Sequence, residues 1–339
     1  MSDRLATSVG ALRLPNPLIC GSGEPVMTEA GIRAALAAGA AGVIAKSVNE
    51  RPEGAAQLER ADYAFLGPSL FCRSGLAPYD PAAWFATLAG LDREAAASGR
   101  FVAASLVLAG QEGAVRLAGL AHRAGLRVFE LNVGAPHAGE AAAGAIAQEN
   151  DPAALGALVA AVRRATPGML LWVKLTGMSQ NLPALTLAAR SAGADAVAMM
   201  GRFMALVPDL DTLAPLLGTA GAYGGPWALP IVCRFLAQSR RATGAAFPLI
   251  GTNGTRCGED VARLALAGAS AIEVLSVVMA EGFGALTRIL AELDVVLAAR
   301  GLDFAGLIGR AADAQETYAD RPVLNGRWRS FVPPQTLTP

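Results

Sequence analysis

Eight short apolar runs alternate with Ala- and Leu-rich amphipathic segments between residue 17 and about residue 300. The runs are PLICGSG (17–23), GVIAKSV (42–48), FVAASLV (101–107), VFELNVG (128–134), LLWVKLT (170–176), AVAMMG (196–201), FPLIGTNG (247–254) and AIEVLSV (271–277). Their length, their β-branched and aromatic content and the Gly or polar residues at their ends mark buried strands. Between them stand segments such as TEAGIRAALAAG, EGAVRLAGLAHRAG, DPAALGALVAAVRRA, LPALTLAARSAG and GEDVARLALAGA, each with one apolar stripe and several closing on Gly, as helices do. Strand followed by helix predicts a parallel sheet covered by helices, and the count of eight favours a closed (β/α)8 TIM barrel over an open sheet.

Outside that period, TSVGALRLPNP reads as a hairpin able to cap the barrel bottom. Residues 49–100 and 202–240 are insertions after the second and sixth strands, the natural places for a lid or a subunit contact. From Asp303 the chain turns polar and Pro-containing and ends RPVLNGRWRSFVPPQTLTP. The expected division is a barrel domain over residues 1–307 and a C-terminal arm over residues 308–339.

Composition narrows the ligand. Hydrophobic residues make up 53% and charged residues 17% of the 339, enough for a large core. Lys plus Arg and Asp plus Glu are balanced at 28 each with no basic run, which argues against nucleic acid and for a small neutral or anionic molecule. No charged N-terminal region leads into an apolar segment, and no apolar run reaches the ~20 residues of a spanning helix, so a cytoplasmic protein without membrane attachment is expected. The cysteines Cys20, Cys72, Cys233 and Cys257 form no Cys-x-x-Cys pair, so neither a metal nor an iron–sulfur centre is expected.

In a parallel barrel, chemistry collects at the C-terminal strand ends. Those ends carry Ser22, Lys46, Ser47, Ser105, Asn132, Lys174, Gly251 to Gly254 and Ser276. Lys46 and Lys174 each sit in an apolar run, where lysine needs a partner. Either each reaches a carboxylate, or together they form a cationic patch for an anion or for a ring that becomes anionic on reduction. GTNG after the seventh strand, the helix opening at Gly258 and Ser276 after the eighth fit a phosphate site.

These motifs resemble the FMN-dependent dihydroorotate dehydrogenases of the soluble class and the matching domain of dihydropyrimidine dehydrogenase. The resemblance runs from about Leu5 to about Leu307 through ATSVGALRLPNPLICGSG, AKSV, ELNVGAPH, VKLT, LGTAGAYGGPWAL and PLIGTNGTRCGEDVARLALAGASAIEV. It implies FMN as cofactor, held by Ser22, Gly23, Lys46, Ser47, Asn132, Lys174, Gly221, Gly251, Asn253, Gly254 and Ser276, and it implies a homodimer. Asn253 stands where the family usually has Gly, and Leu275 where it often has Gly or Cys.

The substrate side departs further. The family reads Asn-x-Ser-Cys-Pro, with Cys (Ser in the membrane-associated class) as the acid/base; here the letters are Asn132-Val-Gly-Ala135-Pro-His137. His137 is the candidate proton carrier, against the alternative that it only hydrogen-bonds within its loop beside Glu140. Cys72 is a second candidate, against a packed thiol. Arg73 and Arg202 fall where the family has amides and suggest an anionic substrate, unless both are solvated loop residues. His122, on the helix before the fourth strand, reads as a surface residue.

The expectation is therefore a flavin-dependent oxidoreductase acting on CH–CH bonds of a small unsaturated or dihydro ring compound other than dihydroorotate. Two alternatives stand beside it: a barrel that binds FMN or another phosphate ligand without turnover, and a dihydroorotate dehydrogenase with a relocated acid/base.

Overall fold

The computed structural model describes residues 3–49, 62–107, 110–134, 150–201, 203–322 and 326–337. In chain order its strands are β1 (Thr7–Val9), β2 (Leu12–Leu14), β3 (Leu18–Cys20), β4 (Gly42–Ile44), β5 (Asp62–Leu66), β6 (Ser69–Arg73), β7 (Phe101–Val107), β8 (Val128–Asn132), β9 (Leu170–Lys174), β10 (Ala196–Met199), β11 (Phe203–Ala205), β12 (Gly221–Gly224), β13 (Leu249–Thr252) and β14 (Ala269–Val274). Eight of them close a barrel in the order β3, β4, β7, β8, β9, β10, β13, β14, every neighbouring pair parallel. Each lies in or overlaps one of the eight apolar runs, so the TIM barrel read from the pattern is the fold.

Helices return the chain between strands, and their starts follow from local chemistry. Thr28 accepts the Gly31 N–H at the head of helix Glu29–Ala37, and Asp151 accepts the Ala153 N–H before helix Pro152–Ala165, with Pro at its first position. Gly125, at a φ of 89°, ends helix Gln111–Ala124 in a left-handed conformation that suits glycine.

Side chains alternate across each strand, so every second residue enters the barrel. The lower interior is apolar: Ile19, Ile44, Phe101, Ala103, Val128, Trp172, Ala196, Ala198, Ile250 and Ala271 pack together. Phe101 and Trp172 meet edge to face at 5.2 Å, and a Cβ on Gly42 would come within 2.0 Å of the Phe101 ring. The hairpin β1–β2 sends Val9 and Leu14 into this cluster and plugs the barrel bottom, as its sequence suggests. Continuing the same alternation upward gives Lys46, Ser105, Glu130, Asn132, Lys174 and Glu273, so the inward column changes from apolar to polar towards the C-terminal mouth.

The two insertions are a single structure. β5 and β6 from the first, and β11 and β12 from the second, form one antiparallel sheet in the order β11, β12, β6, β5, with Ala222 opposite Cys72 and Gly224 opposite Leu70. A Cβ at Gly221 would lie 2.7 Å from the Cys72 carbonyl oxygen, so the strands approach there because glycine permits it.

The chain stays on the barrel past residue 307. Arg240 donates twice to Asp313, both at 2.8 Å, and Gly309 donates to the Ala265 carbonyl. Beyond Asp313 the large apolar side chains Tyr318, Trp328 and Phe331 are exposed. Among the described residues no helix is long and apolar enough to cross a membrane.

Candidate active site

The polar ends of the barrel strands and the inner face of the lid sheet enclose a cleft with about 970 Å³ of free space, open to solvent on one side. Ser22, Lys46, Ser47, Asn132, Lys174, Asn253 and Ser276, all singled out in the sequence, line it together with Cys72. Gly23, Gly221, Gly251 and Gly254 do not line it; the first, second and fourth are close-packing positions. A Cβ at Gly23 would strike the Leu275 side chain at 2.3 Å, and one at Gly254 would sit 2.6 Å from the Leu229 nitrogen. Leu275 is thus accommodated by the glycine it covers. Asn253, at a φ of 80°, occupies the left-handed region that asparagine tolerates, and its side-chain oxygen accepts the Gly225 N–H at 3.2 Å.

Both lysines have carboxylate partners, which corrects the cationic-patch reading. Lys46 donates to Glu24 at 2.8 Å and to Ser74 at 3.3 Å. Burial works against the Glu24 charge, yet the Lys46 ammonium and its hydrogen bond outweigh it and hold that carboxyl below its usual range. Lys174 is buried between two carboxyls, donating to Glu130 at 3.3 Å and making a short contact with Glu273. Burial alone would lower its pKa; the charges of Glu130 and Glu273 reverse that, so Lys174 remains an ammonium. Glu273 is pushed up to about 8, first by burial and then by the Glu130 charge, with Lys174 pulling the other way. The floor therefore pairs each lysine with carboxyl groups, and Glu273 holds its proton at neutral pH.

Asn132 is fixed by accepting the Gly134 N–H at 3.0 Å. Behind it Ser105 donates to Glu130 at 2.8 Å, Ser47 lies 2.8 Å from Ser105, and Ser22 lies 3.0 Å from Ser47. Ser22 and Ser47 are on the cleft wall, so this row of hydroxyls joins the wall to the buried carboxyl.

Some expected substrate contacts do not converge. Cys72 faces the cleft, whereas Arg73, its neighbour along β6, projects from the other side of the strand and pairs with Asp62 at 2.5 Å. Arg73 is a brace of the lid hairpin. Ala135, His137, Glu140 and Arg202 lie outside the described residues. His122 is half-buried on its helix, away from the cleft lining. Residues missed in the sequence are Glu273, Leu70, Ser74 and Tyr223 on the lining and Glu24 and Glu130, which pair with the lysines. The two strand glutamates carried a usable signal: each stands inside an apolar run, as the lysines do.

A sequence profile of the family described as "Dihydroorotate dehydrogenase" matches residues 111–297. Dihydroorotate dehydrogenase B (NAD(+)), catalytic subunit, of Methanopyrus kandleri is 32% identical over 284 residues, 80% of this chain and 85% of that protein. The protein of the same name from Pyrococcus abyssi is 31% identical over 288 residues, 84% and 91% of the two chains. Dihydroorotate dehydrogenase A (fumarate) of Limosilactobacillus reuteri is 32% identical over 183 residues, 54% of this chain; there the match spans only 58% of the relative.

Proposed function

The chain belongs to the dihydroorotate dehydrogenase family, and from that premise we propose that it is an FMN-dependent oxidoreductase acting on CH–CH bonds of a small ring compound. The observation that carries the reading is the convergence of Ser22, Lys46, Ser47, Asn132, Lys174 and Ser276 on one cleft at the barrel mouth. The residues fit the cofactor: the hydroxyls of Ser22, Ser47 and Ser276 and the amides of Asn132 and Asn253 line the open cleft and offer partners for a polar ring edge and a phosphate. FMN, when bound, supplies the group that accepts or gives a hydride. Asn132 and Lys174 would orient its ring, and Lys174, kept charged by its carboxyl neighbours, would offset negative charge gained on reduction. Ser276 would hold the phosphate end. The lid strands β6 and β12, through Leu70, Cys72 and Tyr223, would cover the reacting face against water.

The relatives' names make dihydroorotate the first substrate to try, and Ala135 is the sequence feature that favours a different ring. Mixed anaerobically with the flavin-loaded protein, the true substrate bleaches the flavin absorbance rapidly. Rapid bleaching by dihydroorotate identifies a dihydroorotate dehydrogenase with its acid/base elsewhere. If no dihydro compound reduces the flavin, and no acceptor reoxidises the photoreduced protein faster than oxygen does, the oxidoreductase reading falls and the binding-only barrel replaces it. The ion-paired lysines are the observation that keeps that second reading open.

A homodimer is part of the same proposal, with the exposed Tyr318, Trp328 and Phe331 of the arm as contact candidates. Light scattering is expected to give twice the 34.5 kDa chain mass, and a mass equal to one chain contradicts it.

A further inference from the structure

Two carboxyl groups share the barrel interior with one ammonium. Glu130 and Glu273 are 0% and 1% exposed, and the Glu130 charge bears on Glu273. Lys174 bridges them. Ionised together they would leave an unbalanced negative charge away from water, which costs more than keeping one proton between them. Among the described residues Glu273 Oε1 has no hydrogen-bond partner, although it is buried and its residue lines the cleft. An acid O–H or a ligand donor would complete it.

The other groups facing this pair do not supply a competing charge. Cys20, on the adjacent strand β3, has its thiol pushed up to about 12 by burial and then by Glu273, so it remains neutral. Lys46 is taken up by Glu24. From β7 comes a hydroxyl, Ser105, which gives its hydrogen to Glu130 and is followed outward by Ser47 and Ser22. At the Ser22–Ser47 and Ser47–Ser105 links either oxygen can be the donor, so the row can be polarised in either direction.

We propose that Glu130 and Glu273 share one proton at the floor of the cleft, and that Ser105, Ser47 and Ser22 carry protons between this pair and a ligand lying against Ser22. The pair is then an acid/base reserve independent of the loop after β8, where Ala135 stands. When the ligand loses a proton to Ser22, Ser22 passes its own to Ser47, Ser47 to Ser105 and Ser105 to Glu130. Each O–H bond broken is replaced, no electron travels this path, and the pair goes from one proton to two beside Lys174. The reverse sequence returns the proton. That this transfer serves a redox reaction rests on the function proposed above; the proton in the pair does not.

Infrared spectroscopy on the purified full-length protein, with and without added FMN, separates these parts. The wild type is expected to show a protonated-carboxyl C=O band at pH 7 that disappears as the pH is raised past about 8. Glu273→Gln should remove the band. Ser105→Ala and Ser47→Ala should keep it but slow its exchange shift in D2O at least tenfold. Absence of the band at pH 7 in the wild type, or its persistence in Glu273→Gln, overturns the shared proton. Unchanged exchange rates in both serine variants overturn the relay. A band present in protein that fails to take up FMN would locate the failure in the proposed function alone.

Discussion

Replacing Lys174 with methionine is expected to destabilise the protein by roughly 3–5 kcal/mol at pH 7, the cost of leaving a buried charge without its partner. The ammonium is almost fully buried between Glu130 and Glu273, and neither carboxyl has access to bulk water. Methionine fills much of the space, so lost packing is a small part of the change. What remains are the two buried carboxyl groups, with Ser105 as the other hydrogen-bond donor to Glu130. The double variant Lys174→Met with Glu130→Gln should recover most of the loss, because it removes both charges together. Urea midpoints of the wild type, the single and the double variants test this. A single variant within about 1 kcal/mol of wild type would mean that the pair is not charged as described.

The second large effect is on the pH dependence of stability. Glu273 has an ordinary carboxyl value of 4.5, raised in the folded protein to about 8. Between those values the folded state holds a proton that the unfolded chain has released, so this group's contribution is fully present below pH 4.5. It is lost as pH rises to about 8, at roughly 1.4 kcal/mol per pH unit. Glu24 runs the other way. Its lowered value gives stability that is present above 4.5 and lost as pH falls through the folded value. The net curve mixes these and other groups, so the informative quantity is the difference between wild type and Glu273→Gln. That difference should move in favour of the variant by a few kcal/mol between pH 5 and pH 8 and level off above. Parallel stability curves across that window would show that Glu273 titrates normally.

The architecture was largely legible in the sequence because each barrel strand is a short apolar run and each return helix an amphipathic one. Ser22, Lys46, Ser47, Asn132, Lys174 and Ser276 were legible for a related reason: polar residues ending buried strands have one place to go. What the sequence concealed depends on register and on distant pairing. Cys72 and Arg73 are neighbours in the chain, but only the pairing of β6 with β12 determines which of them faces the cleft. The lid insertions, far apart in the chain, carry no local sign that they form one sheet through Cys72 and Ala222. Glu130 and Glu273 carry the same local sign as the two lysines, a charge inside an apolar run, but only the closed barrel shows which charges meet. Yet a buried lysine needs an opposite charge, and the two glutamates inside other runs of the same barrel are where that charge should be sought.

The cleft's charge balance also changes how a flavin would be held. Two free ammonium groups would favour an anion at all times. Ammonium groups already matched by Glu24 and Glu130 favour a neutral ring and leave Lys174 to respond when charge develops nearby.

The most direct test of the central claim is the visible absorption spectrum of the purified protein, followed by release and identification of the flavin after denaturation. The account predicts a yellow protein that carries or takes up one FMN per chain, with binding weakened at least tenfold in Lys174→Met if that variant remains folded. A colourless protein that does not bind added FMN at micromolar concentration would contradict it.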